Sequence, residues 1–121
     1  MGQKIVYWAT TAIVSLMLLM SLTYLTGSEQ VVSGFAKAGY PQHLRIILGL
    51  AKPAAAIVLL LPGLALLKEW AYVGAGITWI MATIAHYTAG EGPIAGVPLA
   101  LFILLVVSYL TRPAGRRLGL R

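Results

Sequence analysis

IVYWATTAIVSLMLLMSLTYLT, residues 5–26, is an unbroken apolar run without a charged residue. Hydrocarbon offers no water to backbone amides and carbonyls, so about 20 mostly apolar residues in a row read as a membrane-spanning helix. Lys4 ahead of the run gives it the look of a secretory leader. A leader's apolar region, however, is only about 7–15 residues long and is followed by a small-residue cleavage site. Neither condition holds, and the run reads as a first span. Three further segments follow the same rule along the chain: residues 44–61, ended by Pro62-Gly63; residues 69–89, ended by Gly90; and residues 93–111, ended by Arg112-Pro113. Pro93 and Pro98 fall in or near the opening turns of the last segment, where a missing N–H costs least.

The connections set the topology. Residues 62–68 and Gly90-Glu91-Gly92 are tight turns, so the spans on either side of each are antiparallel neighbours. The first connection is longer. Ser28 can cap a helix there, Val31, Val32 and Phe35 share one face, and Gly39 can end it. Residues 29–38 are therefore expected as a short amphipathic helix lying in the membrane interface. The expected fold is all-α: one domain, residues 1–121, built as a membrane-embedded four-helix bundle with an interfacial helix between its first two spans.

Composition agrees. Of 121 residues, 60% are hydrophobic and 10% charged, against about 25% charged in a typical soluble domain. So few charges cannot coat a water-facing surface, and the lipid bilayer is the expected partner. Cysteine is absent, which excludes disulfides, thiolate metal sites and thiol–disulfide chemistry. The net charge of +6 is concentrated in a tail, residues 112–121, that holds Arg112, Arg116, Arg117 and Arg121. We read this tail as a cytoplasmic flank and not as a nucleic-acid site. Lys4, Lys68 and the four tail arginines lie on one side of the expected bundle, and Lys37 and Arg45 on the other. The excess places both termini in the cytoplasm. Tyr7, Trp8, Tyr24, Trp70, Tyr72, Tyr87 and Tyr109 fall near span ends, where aromatic belts form.

Polar residues at depth carry the functional information. Lys52 lies about 12 Å into the second span at 1.5 Å per residue, too deep for its stem to reach either surface readily. It is expected to face the bundle interior. Pro53 frees the Gly49 carbonyl one turn back, so Gly49 and Pro53 mark an expected kink beside the ammonium. Arg45, Gly49, Lys52 and Ala56 share one helix face, and Tyr72, Gly76, Trp79, Thr83, His86 and Gly90 form a stripe on the next span. If the two faces meet, Arg45, Lys52, Tyr72, Trp79, Thr83 and His86 line an outward-opening cavity, basic at its mouth and aromatic below. Glu69, at the inner end of the third span, either complements the helix dipole or pairs with Lys68, Lys4 or a tail arginine. Thr10, Thr11, Ser15 and Ser108 are assigned to helix packing.

Other chemistry is weakly supported. There is no phosphate-binding glycine loop and no nucleophile–base motif. His43, His86, Glu29 and Glu91 share the outer side, but no local i, i+3 or i+4 ligand pair supports a metal or bis-histidine haem. Four short helices also make a poor channel.

Leu25-Thr26-Gly27, Gly39-Tyr40-Pro41, Gly49-x-x-Lys52, Glu69-Trp70-Ala71-Tyr72-x-Gly74 and Ala85-His86-x-x-x-Gly90 together resemble the DoxX-like family of bacterial membrane proteins. Ala85-His86 departs from that family's frequent Ser-His pair. The resemblance implies four transmembrane helices and a place in the bacterial inner membrane. The wider group takes its name from subunits associated with quinol oxidation and thiosulfate:quinone oxidoreduction, and more distant relatives look like chaperones for membrane proteins. Two functions are therefore expected. The first is an accessory subunit that binds a small, partly apolar molecule such as a quinone. The second is a structural partner or assembly factor for another membrane complex, or a homo-oligomer. Catalysis by the chain on its own is not expected, because quinone redox chemistry needs an electron donor from a partner subunit.

Overall fold

The computed structural model describes residues 2–113 and 116; Arg117 and Arg121 of the basic tail lie outside the described residues. Five helices account for nearly all of the described chain. The first, α1 (Gly2–Leu19), continues without a break as a 3-10 helix over Met20–Thr26. Then come α2 (Glu29–Lys37), α3 (Gln42–Leu60), α4 (Ala65–Thr88) and α5 (Gly92–Leu110). By length and composition, three helical stretches can cross a membrane: Gly2–Thr26, Gln42–Leu60 and Gly92–Leu110. At 24 residues α4 has the length, but its glycines, threonines, aromatics and His86 dilute its hydropathy. Of the four spans expected, three therefore qualify on these grounds.

The four long helices pack in the ring α1–α3–α4–α5, with α1 closing on α5. The two termini of this arrangement sit together, since the Gln3 side chain donates to the Thr111 carbonyl at 3.3 Å. We call this the tail end, and the opposite pole the α2 end. The core is a stack of Val14, Leu18, Ala56, Leu59, Ala71, Tyr72, Ala75, Trp79 and Leu105. Around it, Ile13, Leu16, Ile47, Leu50, Ile57, Val73, Ile77 and Ile103 are exposed. An apolar belt on the outside of an apolar core is the pattern lipid selects and water does not.

Local signals explain the ends. The Ser28 hydroxyl caps α2 by accepting from the Val31 amide at 3.4 Å, as the spacing predicts. Glu29 in the first turn and Lys37 in the last suit its dipole. Between α3 and α4 the turn is shorter than expected: helix resumes at Ala65, after Leu64 in the left-handed region at φ 56°.

The first span departs from expectation. It does not stay α-helical to Thr26 but tightens to a 3-10 helix at Met20 and stops at Gly27, at φ 70°. A 3-10 run of seven residues is long for a conformation usually held to three or four. Its partner is Gly49. A Cβ at Gly49 would lie 2.8 Å from Leu25 Cδ2 and 3.2 Å from Tyr24 Cβ. The missing side chain thus lets α3 press against the 3-10 segment. Gly49→Val is expected to destabilise the fold by about 1–3 kcal/mol, the usual cost of overpacking. Thermal unfolding in detergent would check this, and an unchanged midpoint would count against the close contact.

Candidate functional site

At the α2 end, the 3-10 segment turns Ser21, Thr23 and Tyr24 toward Lys52 of α3, Trp79 and His86 of α4 and Pro98 of α5. Together they line a cavity of about 260 Å³. Lys52 is 8% exposed and sits near the middle of α3. Its ammonium lies 3.5 Å from the Tyr24 hydroxyl and 5.2 Å from the centre of the Tyr24 ring. Among the described residues no carboxylate comes within ion-pairing distance of it. Trp79 is buried and forms one apolar wall. At the rim, His86 Nδ1 meets Glu91 Oε1 at 3.0 Å, both side chains 40% exposed. The cavity thus combines an aromatic wall, several hydroxyls and a cation with one weak partner. Such a site can bind an oxygen acceptor carried on an apolar body.

Three of the six residues expected here line this cavity: Lys52, Trp79 and His86. The other three are engaged elsewhere. Arg45 donates to the Tyr24 carbonyl, and to Gln42 Oε1 at 2.9 Å, so its charge serves the carbonyl end of the 3-10 helix. The Thr83 hydroxyl turns back to the Trp79 carbonyl at 2.8 Å, a bond any helical threonine can make. Tyr72, seven residues before Trp79, belongs to the opposite pole. Pro53, next to Lys52, is buried within a continuous α3.

That pole holds a second polar cluster. The Tyr72 hydroxyl lies 2.7 Å from Ser108 Oγ, which lies 2.6 Å from Thr11 Oγ1, all three buried. Glu69 pairs with Arg112 and also accepts from the Tyr109 hydroxyl at 2.8 Å. The Arg112 guanidinium lies 3.6 Å from the centre of the Tyr109 ring. Lys68, fully buried, donates to the carbonyls of Leu61 and of Gly63, the latter at 2.7 Å. Arg116 donates to the Leu59 carbonyl at 2.8 Å and lies over the Trp8 ring at 4.6 Å. Two cations thus cover the carbonyl end of α3, where the helix dipole favours positive charge. These groups are paired within the chain, and they tie its ends together.

The sequence model of the DoxX-like family matches residues 8–108. The chain belongs to the DoxX-like family. Among curated proteins and solved structures nothing matches it. The match spans the 3-10 segment, Lys52, Trp79, His86 and Glu69, so the α2-end cavity lies wholly inside the DoxX-like region. Arg112 and Arg116 lie just beyond it.

Sequence reasoning missed Tyr24, Ser21 and Thr23 in this DoxX-like chain. Tyr24 reads as a belt aromatic, and Ser21 and Thr23 fall inside the first apolar run with nothing to set them apart. The signal was faint: an α-helix through Thr26 and a 3-10 helix through Thr26 have the same composition but aim these side chains differently. Among the described residues no cluster of three histidines and carboxylates could hold a metal ion.

Proposed function

We propose that this DoxX-like chain crosses the bacterial inner membrane four times, with both termini in the cytoplasm, and binds a small, partly apolar molecule, a quinone being the leading candidate. The ring of four long helices supports the four-span reading. Lys68 and Glu69 come early in α4, and the remainder, from Trp70 to Thr88, contains no Asp, Glu, Lys or Arg. The lysine and arginine bias toward the tail end supports the orientation.

One observation carries the binding role: a buried lysine in the middle of α3 whose ammonium borders a cavity and, among the described residues, meets a tyrosine and no carboxylate. An ionisable group at mid-depth is costly, and function is the usual reason it persists. In this reading Lys52 donates to a carbonyl oxygen of the ligand, His86 offers a second donor, and Trp79 supplies the apolar wall. Arg45, Tyr72 and Thr83 have supporting roles: Arg45 holds the 3-10 segment, Thr83 sits on the turn carrying Trp79, and Tyr72 ties α4 to α5. The protein acts as a binding subunit and not as an enzyme on its own.

Binding of a benzoquinone to purified protein, read by quenching of tryptophan fluorescence, tests the proposal. Lys52→Met is expected to raise Kd by about tenfold or more, the loss of a charge-assisted hydrogen bond of about 1.5–3 kcal/mol. Equal binding by the two proteins would sink the role of Lys52. A reproducible membrane-protein partner in mild detergent, together with no quinone binding, would favour the assembly role instead.

A further inference from the structure

Lys52 borders a second space. On its other side, a groove of about 290 Å³ runs along the seam between α3 and α4, with Leu18 at its floor. Its walls include Ala51, Ala55, Val58, Leu67, Trp70 and Gly74. Among the described residues, Lys52 contributes the only charge in the lining, and Thr78 the only other polar side chain besides the Trp70 indole N–H. The groove spans α3 from Leu48 to Val58, about 15 Å at the helical rise. Trp70, Val73 and Ile77, on and beside its α4 edge, are 63%, 60% and 55% exposed. In the proposed bilayer these residues face hydrocarbon, and the groove opens sideways to the same medium.

Lys52 is common to the linings of the two spaces. At about 290 and 260 Å³, each falls below the roughly 300–1,000 Å³ of ordinary ligand sites. Joined across Lys52 they reach well into that range. Their chemistry also differs in a directed way. Hydroxyls, His86 and the ammonium gather on the α2-end side, whereas the seam is almost wholly apolar.

We infer that the groove and the cavity form one site for a single-tailed amphiphile, and this rests on the ligand role proposed for Lys52. The head occupies the α2-end cavity against Lys52, and an alkyl or isoprenyl tail lies in the α3–α4 groove, where it can arrive laterally from the bilayer. The head is neutral with oxygen acceptors. The groove is a single channel along one helix seam, so the occupant carries one tail and an ordinary two-chain phospholipid is not it.

Two probes separate head from tail: a tail-less dimethoxy-methyl-benzoquinone and the same ring carrying a decyl chain. The wild-type protein is expected to prefer the decyl probe by about tenfold or more, a ratio that takes burial of only about two methylenes. Gly74→Leu fills the groove from α4, where an added Cβ meets nothing within 4 Å. It is expected to erase the preference and leave binding of the tail-less probe unchanged. Ala51→Leu, exposed on the α3 wall, should do the same. If Lys52→Met weakens both probes while neither leucine variant alters the preference, the groove assignment is overturned and the head site stands. If Lys52→Met changes neither probe, the head site falls and the joined site falls with it.

Discussion

Glu69→Ala is expected to lower the stability of the folded protein by about 1–3 kcal/mol, the usual cost of leaving buried polar groups short of one partner. The Glu69 and Arg112 side chains are only 22% and 11% exposed. Removing the carboxylate leaves a guanidinium against the Tyr109 and Tyr72 rings and takes the acceptor from the Tyr109 hydroxyl. The effect should spread, because Tyr109 packs edge-to-face on Tyr72 at 5.1 Å, and Tyr72 holds Ser108 and Thr11. Unfolding in a graded series of detergent mixtures measures it. Arg112→Met should also be destabilising, and the double variant should lose much less than the sum of the two, as coupled neighbours do. A change below about 1 kcal/mol for Glu69→Ala would mark the pair as an ordinary solvated one.

Lys52→Met is expected to act in the opposite direction on stability. A lysine at the centre of a spanning helix costs about 2.5–3.5 kcal/mol to insert. The Tyr24 ring and hydroxyl recover part of that, since a cation–π contact returns about 0.5–2 kcal/mol. Methionine keeps an unbranched stem and removes the charge. The variant should therefore be more stable by about 1–2 kcal/mol while binding quinone at least about tenfold more weakly. Gain of stability with loss of binding is the signature of a residue kept for function. A less stable Lys52→Met protein would instead make Lys52 a structural residue held by Tyr24, and the ligand role would have to be abandoned.

The two polar poles differ in a way that bears on function. At the tail end Lys68, Glu69, Arg112 and Arg116 all find partners within the chain. At the α2 end Lys52 has a tyrosine 3.5 Å away and His86 shares a half-exposed carboxylate. The tail-end cluster fastens the ring of helices, and at the other pole the donors of Lys52 and His86 have fewer partners, as the proposed ligand role requires. The contact of Arg116 with the end of α3 also means that residues beyond the last helix help to close the bundle.

Much of this was legible in the residues themselves. Apolar run length located the four long helices, three of them long and apolar enough to cross a membrane, because lipid imposes one rule on every backbone amide. Ser28 and Gly39 marked the short helix, and Pro62-Gly63 and Gly90 marked turns, because capping and left-handed φ are local chemistry. The 3.6-residue spacing placed Lys52, Ala56, Trp79 and Tyr72 on inward faces, whereas for Glu69 charge and side alone left the helix dipole, Lys68, Lys4 and a tail arginine all open, and the structure pairs it with Arg112. The sequence did not reveal which depth of the interior each inward side chain serves. Tyr72 and Trp79 share a stripe, yet Tyr72 joins Ser108 and Thr11 at one pole and Trp79 faces a cavity at the other. It also did not reveal the 3-10 turn of residues 20–26, which depends on Gly49 admitting Tyr24 and Leu25 at close range. Pattern determines which face of a helix is buried. The rotation and approach of neighbouring helices determine what that face meets, and those depend on packing between residues far apart in the chain. An inward lysine was the expectation from its depth alone; its burial, the tyrosine beside it and the two spaces it borders required the folded structure.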